Sequence, residues 1–237
     1  MTNETPNADT TNHIGTLNER SLHAALKDYL FQPRDEQEVK LDGYFIDIVR
    51  GEELIEIQTG GFFPLKRKLE KLLENHVVHL YHPIAARKWI VRVDKEDAFI
   101  TKRKSPRKGN VFDIFNELLS LRTVALHPNL WLHVLLIEVE EVWRDDGKGS
   151  WRKKYWSISD RRLVGVNDEV VLHDGADFLG LLPEALPEQF TNADIVEHAK
   201  CRKRMAGKAT YALKEMGLIQ RVGTKNRYHL FEKVNDA

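Results

Sequence analysis

The sequence predicts an α/β fold in which a mixed sheet is flanked by helices and followed by a small second domain. Two patterns lead to this prediction. Between residues 16 and 82, runs rich in Ile, Val and Phe alternate with segments whose apolar residues recur at helical spacing. Beyond a Pro-containing segment, two further helical patterns precede two short apolar runs. The predicted parts are a disordered tail over 1–15, the main domain over 16–182, a linker over 183–189 and the second domain over 190–232.

The first helix is predicted just after the polar N-terminal tail. Its apolar side contains Leu22, Leu26, Tyr29 and Leu30. Glu19 precedes Leu22 by three residues and lies on the same side of the helix. Thr16-Leu-Asn-Glu19 also matches a capping box. Glu19 is therefore interpreted either as part of a helix cap or as a residue of a site.

A β-hairpin is predicted around Gly51-Glu52. The runs before and after it, residues 44–50 and 54–59, are rich in the residue types that favour strands. Gly51-Glu52 suits a two-residue type II′ turn, with Gly at the first central position. Counting back from this turn along both strands places Asp47 opposite Glu56.

Asp47 and Glu56 would then share one face, with Cβ atoms about 5 Å apart, and Gln58 would point the same way. Acids on paired strands are also common on solvated faces of antiparallel sheets. The apolar neighbours of both acids favour a covered sheet instead. Two like charges held opposite each other among apolar residues are destabilising, and a divalent cation that prefers oxygen ligands would stabilise them.

A second helix and a further strand are predicted after the hairpin. Gly60-Gly61 ends the preceding strand, Pro64 suits the first turn of a helix, and Val77–Tyr81 forms a buried strand. The order of elements is helix, three strands, helix, strand. The apolar side of the second helix contains Leu65, Leu69, Leu72, Leu73 and His76, and the basic residues mostly off that side are Lys66, Arg67, Lys68 and Lys71.

This order and these acids resemble the PD-(D/E)XK nuclease superfamily. Asp47 matches the lone Asp of its motif, and Glu56-Ile57-Gln58 matches the (D/E)-x-K tripeptide. The resemblance implies a restriction-endonuclease-like mixed sheet and a Mg²⁺ or Mn²⁺ ion held by Asp47 and Glu56. Glu19 matches the acid that the superfamily often carries on its first helix.

Gln58 departs from the superfamily pattern, which has Lys at this position. A Gln side chain would hold the attacking water by hydrogen bonds but would supply no positive charge. Lys66 or Lys68, on the following helix, would replace that charge.

Residues 83–180 predict further strands and one helix. Strands are predicted at Lys88–Val93 and Phe99–Lys104, and an amphipathic helix is predicted at Val111–Leu121. Trp131–Trp143 and Trp151–Ser159 predict a long hairpin. Its second arm mixes aromatic and basic residues, which either grip nucleic acid or pack on the core.

Residues 190–232 resemble a winged helix-turn-helix. Thr191-Asn-Ala-Asp194 is a capping box that opens a short helix, and a second helix follows. Two strands are predicted at 218–219 and 228–231, joined by a loop at 223–226 that would form the wing.

The resemblance implies that this domain binds DNA. The second helix would then be the recognition helix, and the wing would contact phosphates or the minor groove. Contact with another protein, or packing alone, stays an alternative. The predicted DNA-facing residues are Arg204, Lys208 and Thr210 on the helix, and Arg221, Lys225 and Arg227 on the wing.

Composition restricts the compartment and the partners. The chain has 237 residues, and its 36 basic and 36 acidic side chains give a formal net charge of zero. Basic residues concentrate in Thr101–Lys108 and in 200–227, which favours a phosphate-binding surface or solvated loops and helix faces. A single Cys, Cys201, favours a reducing, cytoplasmic setting, and no apolar run reaches the ~20 residues of a membrane span. His79 and His82 point to opposite faces of a strand, so no zinc site is predicted there.

The predicted function is metal-dependent hydrolysis of nucleic-acid phosphodiester bonds, with Mg²⁺ or Mn²⁺ as cofactor and DNA as partner. A homodimer is left open. One alternative is a nuclease fold that has lost turnover and binds DNA or a partner protein, which Gln58 favours. Another is a transcription regulator whose winged helix binds DNA and whose α/β domain acts as a sensor or dimerisation platform.

Overall fold

The computed structural model describes residues 14–234, without the side chains of residues 14–20 and 153. Residues 1–13 of the predicted tail and the side chain of Glu19 therefore lie outside the described part. The first helix already begins at Ile14, so Thr16 lies inside it and does not cap it. Within residues 14–234, no helix is long and apolar enough to cross a membrane.

Groups of one to three strands are separated by helices along the chain. The helices are α1 (Ile14–Leu30), α2 (Lys66–Leu72), α3 (Phe115–Leu121), α4 (Gly175–Gly180), α5 (Asn192–Ala199) and α6 (Lys203–Glu215). The strands are β1 (Glu36–Leu41), β2 (Tyr44–Arg50), β3 (Glu53–Ile57), β4 (Val77–Val93), β5 (Phe99–Lys104), β6 (Leu130–Arg144), β7 (Ser157–Leu172), β8 (Gln189–Phe190), β9 (Ile219–Lys225) and β10 (Tyr228–Lys233).

Seven strands form one mixed sheet in the order β1-β2-β3-β4-β6-β7, and β5 pairs with the far end of β4. The pairs β3–β4 and β4–β6 are parallel, whereas the other pairs in this sheet are antiparallel. Parallel neighbours need a crossover connection, and α2 lies in the one between β3 and β4. The predicted mixed sheet is confirmed.

Helices cover both faces of this sheet. The adjacent residues Leu54 and Ile55 of β3 point to opposite faces and belong to two different buried clusters. Leu22 and Leu26 of α1 pack in the cluster of Ile55. Leu69 of α2 packs in the cluster of Leu54, together with side chains of α3. The hairpin β2–β3 thus lies between α1 and α2.

The C-terminal residues 189–233 form a three-stranded sheet, β8-β10-β9, together with α5 and α6. Phe190, Ile195 and Leu213 of this unit belong to the same buried cluster as Phe115 and Leu118 of α3. The unit therefore packs on the main domain through a continuous apolar core. Its identification as a winged helix stays a prediction.

The predicted wing loop at 223–226 is wrong, because β9 continues through these positions to Lys225. The chain turns instead at Asn226 and Arg227, whose φ values are 47° and 70°. Positive φ at both central residues is typical of a type I′ hairpin turn, and Asn tolerates this conformation well.

The predicted strand at Trp151–Ser159 is also displaced, because β7 begins only at Ser157. Lys154 and Tyr155 have φ values of 52° and 65°, which a regular strand excludes. They close a compact loop in which the Gly149 N–H donates to the Tyr155 carbonyl at 2.8 Å. A Cβ at Gly149 would lie 1.9 Å from the Trp156 carbonyl oxygen, so this close approach requires glycine.

Leu213→Ala tests whether the C-terminal unit shares its core with the main domain. Leu213 is fully buried, and its truncation is expected to lower the free energy of unfolding by about 2–5 kcal/mol. All five Trp residues lie between positions 89 and 156. A continuous core predicts that the urea midpoint followed by Trp fluorescence falls together with the midpoint followed by far-UV circular dichroism.

Val222→Ala serves as the control, because Val222 is 39% exposed on β9. It should leave both midpoints nearly unchanged. If Leu213→Ala moves only the circular dichroism transition, the two units unfold independently and the continuous core is refuted.

Candidate active site

The β2–β3 hairpin has the predicted register. The strands pair from Arg50 and Glu53 at the turn to Ile48 and Ile55. Gly51 has a φ of 59°, in the left-handed region that favours glycine. The next pair in this count is Asp47 with Glu56, at the point where the paired register ends.

Asp47 occupies the point where β2 and β3 separate. Its Oδ2 accepts the backbone N–H of Ile57 at 2.8 Å. A backbone carbonyl of β2 would accept this N–H if the ladder continued. The side chain thus replaces a ladder bond, which fixes the Asp47 carboxylate at the opening between the strands.

Glu56 lies at the same opening and is only 4% exposed. Lys68 Nζ of α2 lies 2.5 Å from Glu56 Oε1 and forms an ion pair with it. Burial, with a smaller contribution from the Asp47 charge, raises the pKa of Glu56 to about 7 despite the opposing charge of Lys68. Glu56 titrates near neutral pH, and a cation beside it would favour its ionised form.

Helix α1 supplies two basic side chains to Asp47. His23 Nε2 lies 3.2 Å from both carboxylate oxygens, and Lys27 Nζ lies 3.8 Å from Oδ1. Burial favours a higher pKa for Asp47, but the hydrogen bond and charge of His23, the Ile57 N–H and Lys27 outweigh it, and the pKa lies below its usual range. The bond to Asp47 in turn raises the pKa of His23 above its usual value. Asp47 is therefore ionised at neutral pH, in contrast to Glu56.

Sequence reasoning missed His23 and Lys27. They lie four residues apart, which is the spacing of two side chains on one face of a helix, directly beside the apolar positions Leu22 and Leu26. That spacing was a usable signal. It did not reveal that this face of α1 meets Asp47, because the contact joins segments 24 residues apart.

Glu38 of β1 was missed as well. It lies between Gln37, which pairs with Ile48, and Val39, which pairs with Ile46. Glu38 is thus opposite Asp47, and its carboxylate forms an ion pair with Lys27. Three neighbouring strands therefore carry three acids in one row, with a basic side chain of α1 or α2 beside each acid.

Gln58 follows β3 and lines the same opening. Its side-chain nitrogen donates to the Gly61 carbonyl at 2.9 Å, and its backbone carbonyl accepts a hydrogen bond from His82 Nδ1 at 2.7 Å. These contacts fix the residue at the edge of the site. Whether its amide positions a water stays a prediction.

Of the two lysines considered for the missing charge, the structure brings only Lys68 to the acids. Besides its contact with Glu56, Lys68 Nζ donates to the Phe45 carbonyl at 2.5 Å. Lys66 instead lies 3.6 Å from Glu70, one helical turn further on. The side chain that faces the acids is thus ten residues beyond Gln58 in the sequence.

These side chains surround one cavity of about 700 Å³. Its polar lining consists mainly of His23, Lys27, Gln37, Glu38, Asp47, Glu56, Gln58 and Lys68. Among the side chains that the structure describes, which are those of residues 21–234 except 153, no three from His, Cys, Asp or Glu converge as a set of metal ligands. An ion at Asp47 and Glu56 would therefore take its remaining ligands from water. The role predicted for Glu19 depends on a side chain that is not described.

The predicted DNA-facing residues fall into two groups. Arg204, Arg221, Lys225 and Arg227 are exposed. Thr210 is not, because it is 4% exposed and its hydroxyl donates to Asn192 Oδ1 at 2.9 Å. Lys208 is only half-exposed, and its Nζ donates to Asn116 Oδ1 of α3 at 2.8 Å. The expectation of an exposed position is wrong for Thr210 and Lys208, because α6 packs this side toward α5 and α3.

Comparisons with known proteins give a family and a relative. A family model described as "Domain of unknown function (DUF8091)" matches residues 20–173. A protein of Treponema pallidum (strain Nichols), described as uncharacterized, is 36% identical over 186 residues, which are 78% of this chain and 74% of the relative. No solved structure matches.

Glu56→Gln tests the raised pKa of Glu56. Between about pH 4.5 and 7 the folded chain retains on Glu56, whose pKa is raised to about 7, a proton that the unfolded chain releases near the ordinary value of 4.5. The stability contributed by this group therefore falls as pH rises through 7. The free energy of unfolding of the wild type, minus that of Glu56→Gln, should decrease by roughly 2 kcal/mol from pH 5 to 8.

The measurement is urea denaturation at several pH values. The titration of His23 is common to both chains and largely cancels in the difference. Glu52→Gln, in the exposed turn of the hairpin, is the control and should follow the wild type. A difference between wild type and Glu56→Gln that does not change with pH would show that Glu56 titrates normally.

Proposed function

The chain belongs to the family described as "Domain of unknown function (DUF8091)", and we propose that it is a metal-dependent nuclease that hydrolyses phosphodiester bonds of nucleic acid. The observation that carries this proposal is the convergence of Asp47, Glu56 and Gln58 on one cavity at the end of β3. The family segment, residues 20–173, contains all three residues. The single Cys suits a reducing compartment such as the cytoplasm.

The donor set fits Mg²⁺ or Mn²⁺. Both ions prefer oxygen ligands and retain several waters, so two carboxylates suffice on the protein side. Asp47 is ionised, and the buried Glu56 carboxylate lies close enough for the Asp47 charge to raise its pKa, so a cation between them would stabilise both charges. Asp47 and Glu56 would hold the ion, which supplies a bound water of lowered pKa and neutralises charge on the scissile phosphate.

Lys68 would act on the phosphate. When Glu56 is held by a cation, its ion pair with Lys68 weakens, and the Lys68 ammonium is then available in the cavity as a hydrogen-bond donor. A preorganised cation beside a phosphate stabilises the negative charge that develops as the bond breaks. Lys68 thus replaces the charge that Gln58 lacks, from α2 instead of β3.

Gln58 and His23 would have positioning roles. The Gln58 amide is anchored by Gly61, and its oxygen is a suitable acceptor for a water at the rim of the cavity. His23 holds the Asp47 carboxylate from α1 while the Ile57 N–H holds it from β3. Two independent contacts thus fix the acid that we propose as the main ligand.

The C-terminal unit would bind DNA as a winged helix. Its succession of elements, β8-α5-α6-β9-β10, is compatible with such a unit, and α6 follows α5 after a short turn. Arg204 at the start of α6 and Lys225 and Arg227 at the β9–β10 turn are exposed cations. Cations on a helix end and on a hairpin turn are suitable for phosphate contacts.

A second candidate is a binding module without turnover. The specific observation that favours it is the Lys68–Glu56 pair, which already balances the buried acid with a positive charge. In this case Lys68 would stabilise the fold, and DNA or a partner protein would be bound without cleavage. A transcription regulator would follow from the C-terminal unit alone.

Cleavage of supercoiled plasmid and of single-stranded DNA, with Mg²⁺ or Mn²⁺ at millimolar concentration, tests the nuclease proposal. The wild type should cleave at least one of these substrates, and Asp47→Asn should reduce cleavage to background. Lys68→Ala should lower the rate by about 100-fold, the usual effect of removing one preorganised donor to developing charge.

Lys66→Ala is the matched control, because Lys66 lies on the same helix but pairs with Glu70. It should retain the wild-type rate. Thermal melts with and without the metal verify that each variant folds and binds the ion. A wild type that Mn²⁺ stabilises but that cleaves no substrate would reject the nuclease in favour of the binding module.

DNA binding by the C-terminal unit is tested with the triple variant Arg204→Ala, Lys225→Ala and Arg227→Ala. The slope of log K against log salt is negative, and each lost phosphate contact should reduce its magnitude by about 0.9. The slope of the triple variant should therefore be less steep than that of the wild type by roughly 2–3. Fluorescence anisotropy at several salt concentrations measures this slope.

The control is a second triple variant of equal charge, in which Lys71, Lys95 and Lys148 are replaced by Ala. These residues are exposed and belong to the main domain, outside residues 189–233. This variant should keep most of the wild-type slope. Equal losses in the two triple variants would mean that binding depends on overall charge and would refute the proposed surface.

A further inference from the structure

Four polar side chains form a row across four neighbouring strands at the other end of β3. Glu53 Oε2 of β3 lies 3.4 Å from His79 Nε2 of β4. His79 Nδ1 lies 2.9 Å from His133 Nε2 of β6, and His133 Nδ1 lies 2.6 Å from Glu169 Oε1 of β7. The row thus reads carboxylate, imidazole, imidazole, carboxylate, with two ring nitrogens directed at each other in the middle.

Two neutral imidazoles have only two N–H donors between them, which is too few for the three contacts of this row. His133 needs its proton on Nδ1 to donate to Glu169, so its Nε2 is an acceptor. His79 must then carry its own proton on Nδ1 to reach His133, which leaves Nε2 bare and facing the Glu53 carboxylate. Consistent with this count, His79 Nε2 is buried and has no hydrogen-bond partner among the described residues.

We propose that His79 Nδ1 and His133 Nε2 bind a divalent transition-metal ion such as Zn²⁺. The proton of His79 then moves from Nδ1 to Nε2, where it donates to Glu53, while His133 Nδ1–H continues to donate to Glu169. No proton is gained or lost by the neutral pair. The ion replaces the central hydrogen bond and lies off the line that joins the two nitrogens, and every nitrogen of the row has a partner.

The surroundings resemble those of metal-binding histidines in general. A ligating His commonly donates its second ring nitrogen to a carboxylate, which fixes the tautomer and the ring orientation. Here each His has such a carboxylate. Tyr81 stacks on the His133 ring at 4.2 Å between centroids, and the Trp131 ring lies 6.1 Å from that of His79. These ring contacts restrict the orientation of both imidazoles.

Binding requires a change in the two rings. Zn–N bonds are about 2.0–2.1 Å, and tetrahedral coordination separates two ligand nitrogens by about 3.3 Å. The two nitrogens, now 2.9 Å apart, would have to part by about 0.4 Å, and both rings would have to turn so that their lone pairs converge on the ion. The side chains of His79 and His133 are 17% and 10% exposed, and water would supply the remaining ligands of the ion.

This site is independent of the proposed nuclease function. Imidazole nitrogens suit Zn²⁺, Ni²⁺, Co²⁺ and Cu²⁺, whereas Mg²⁺ prefers oxygen. Neither His79 nor His133 lines the acidic cavity. Loss of one site should therefore leave the other intact.

Isothermal titration of the full chain with ZnCl₂, and then with NiCl₂, tests the proposal. Cys201→Ser is used as the background, because a free thiol also binds these ions. We expect about one equivalent of Zn²⁺ to bind. His79→Ala and His133→Ala should each weaken this binding by at least tenfold, and Glu169→Gln, which retains both imidazoles, should weaken it by about 10–100-fold.

His76→Ala is the matched control, because His76 lies near the same strand but 3.4 Å from Asp42 instead of a second His. It should bind Zn²⁺ like the background chain, and so should Asp47→Asn, whatever its effect on cleavage. Circular dichroism establishes that each variant is folded. Absence of Zn²⁺ binding in the background chain, or equal affinity in His133→Ala, Glu169→Gln and His76→Ala, would overturn the proposal.

Discussion

The hydrogen bond from the backbone N–H of Ile57 to the carboxylate of Asp47 is the contact on which the candidate active site depends. If a backbone carbonyl accepted this N–H, β2 and β3 would remain paired to their ends. With the side chain as acceptor, the strands part where Glu56 emerges, between the helix on one face of the sheet and the helix on the other. His23 of α1 then reaches Asp47, and Lys68 of α2 reaches Glu56. This one hydrogen bond thus separates the two strands at the cavity and also fixes the Asp47 carboxylate there.

The two acids at this opening differ in charge for a physical reason. Asp47 has donors on two sides, so its ionised form is stabilised although it is largely buried. Glu56 is more deeply buried, and its burial outweighs the charge and contact of Lys68, so its pKa lies near 7. Breaking a buried ion pair by removing one partner is costly, whereas exchanging the partner for a cation preserves the balance of charge. The pair therefore suits two roles, a stabilising contact in a binding module or a lysine that is released toward phosphate in a nuclease.

The sequence predicted the parts of the site that depend on local pattern. Gly51 determines the turn, and the turn determines the register from Arg50–Glu53 to Ile48–Ile55. Asp47 and Glu56 are the next positions on the two strands, at the point where this pairing ends. The contacts made by α1 could not be predicted from a local pattern. Helical spacing shows that His23 and Lys27 share a face, but it does not show which strand this face contacts. Lys208 shows the same limit, since periodicity predicts an outward side and α3 covers it. The hairpin turns near Tyr155 and Asn226 depended on positive φ at non-glycine residues, which composition does not reveal.

The two ends of β3 carry different coordination chemistry although they belong to the same short strand. Glu56 points into a cavity whose donors are mostly carboxylate and amide oxygens, with ammonium groups as competitors. Glu53, three residues earlier, faces an imidazole whose proton is already required elsewhere in its row. A hard cation gains most where charged oxygens are crowded, and a softer one gains most where nitrogen lone pairs converge. If both proposals hold, the same strand would serve two ions without competition, because the ligand type at each end would select the ion.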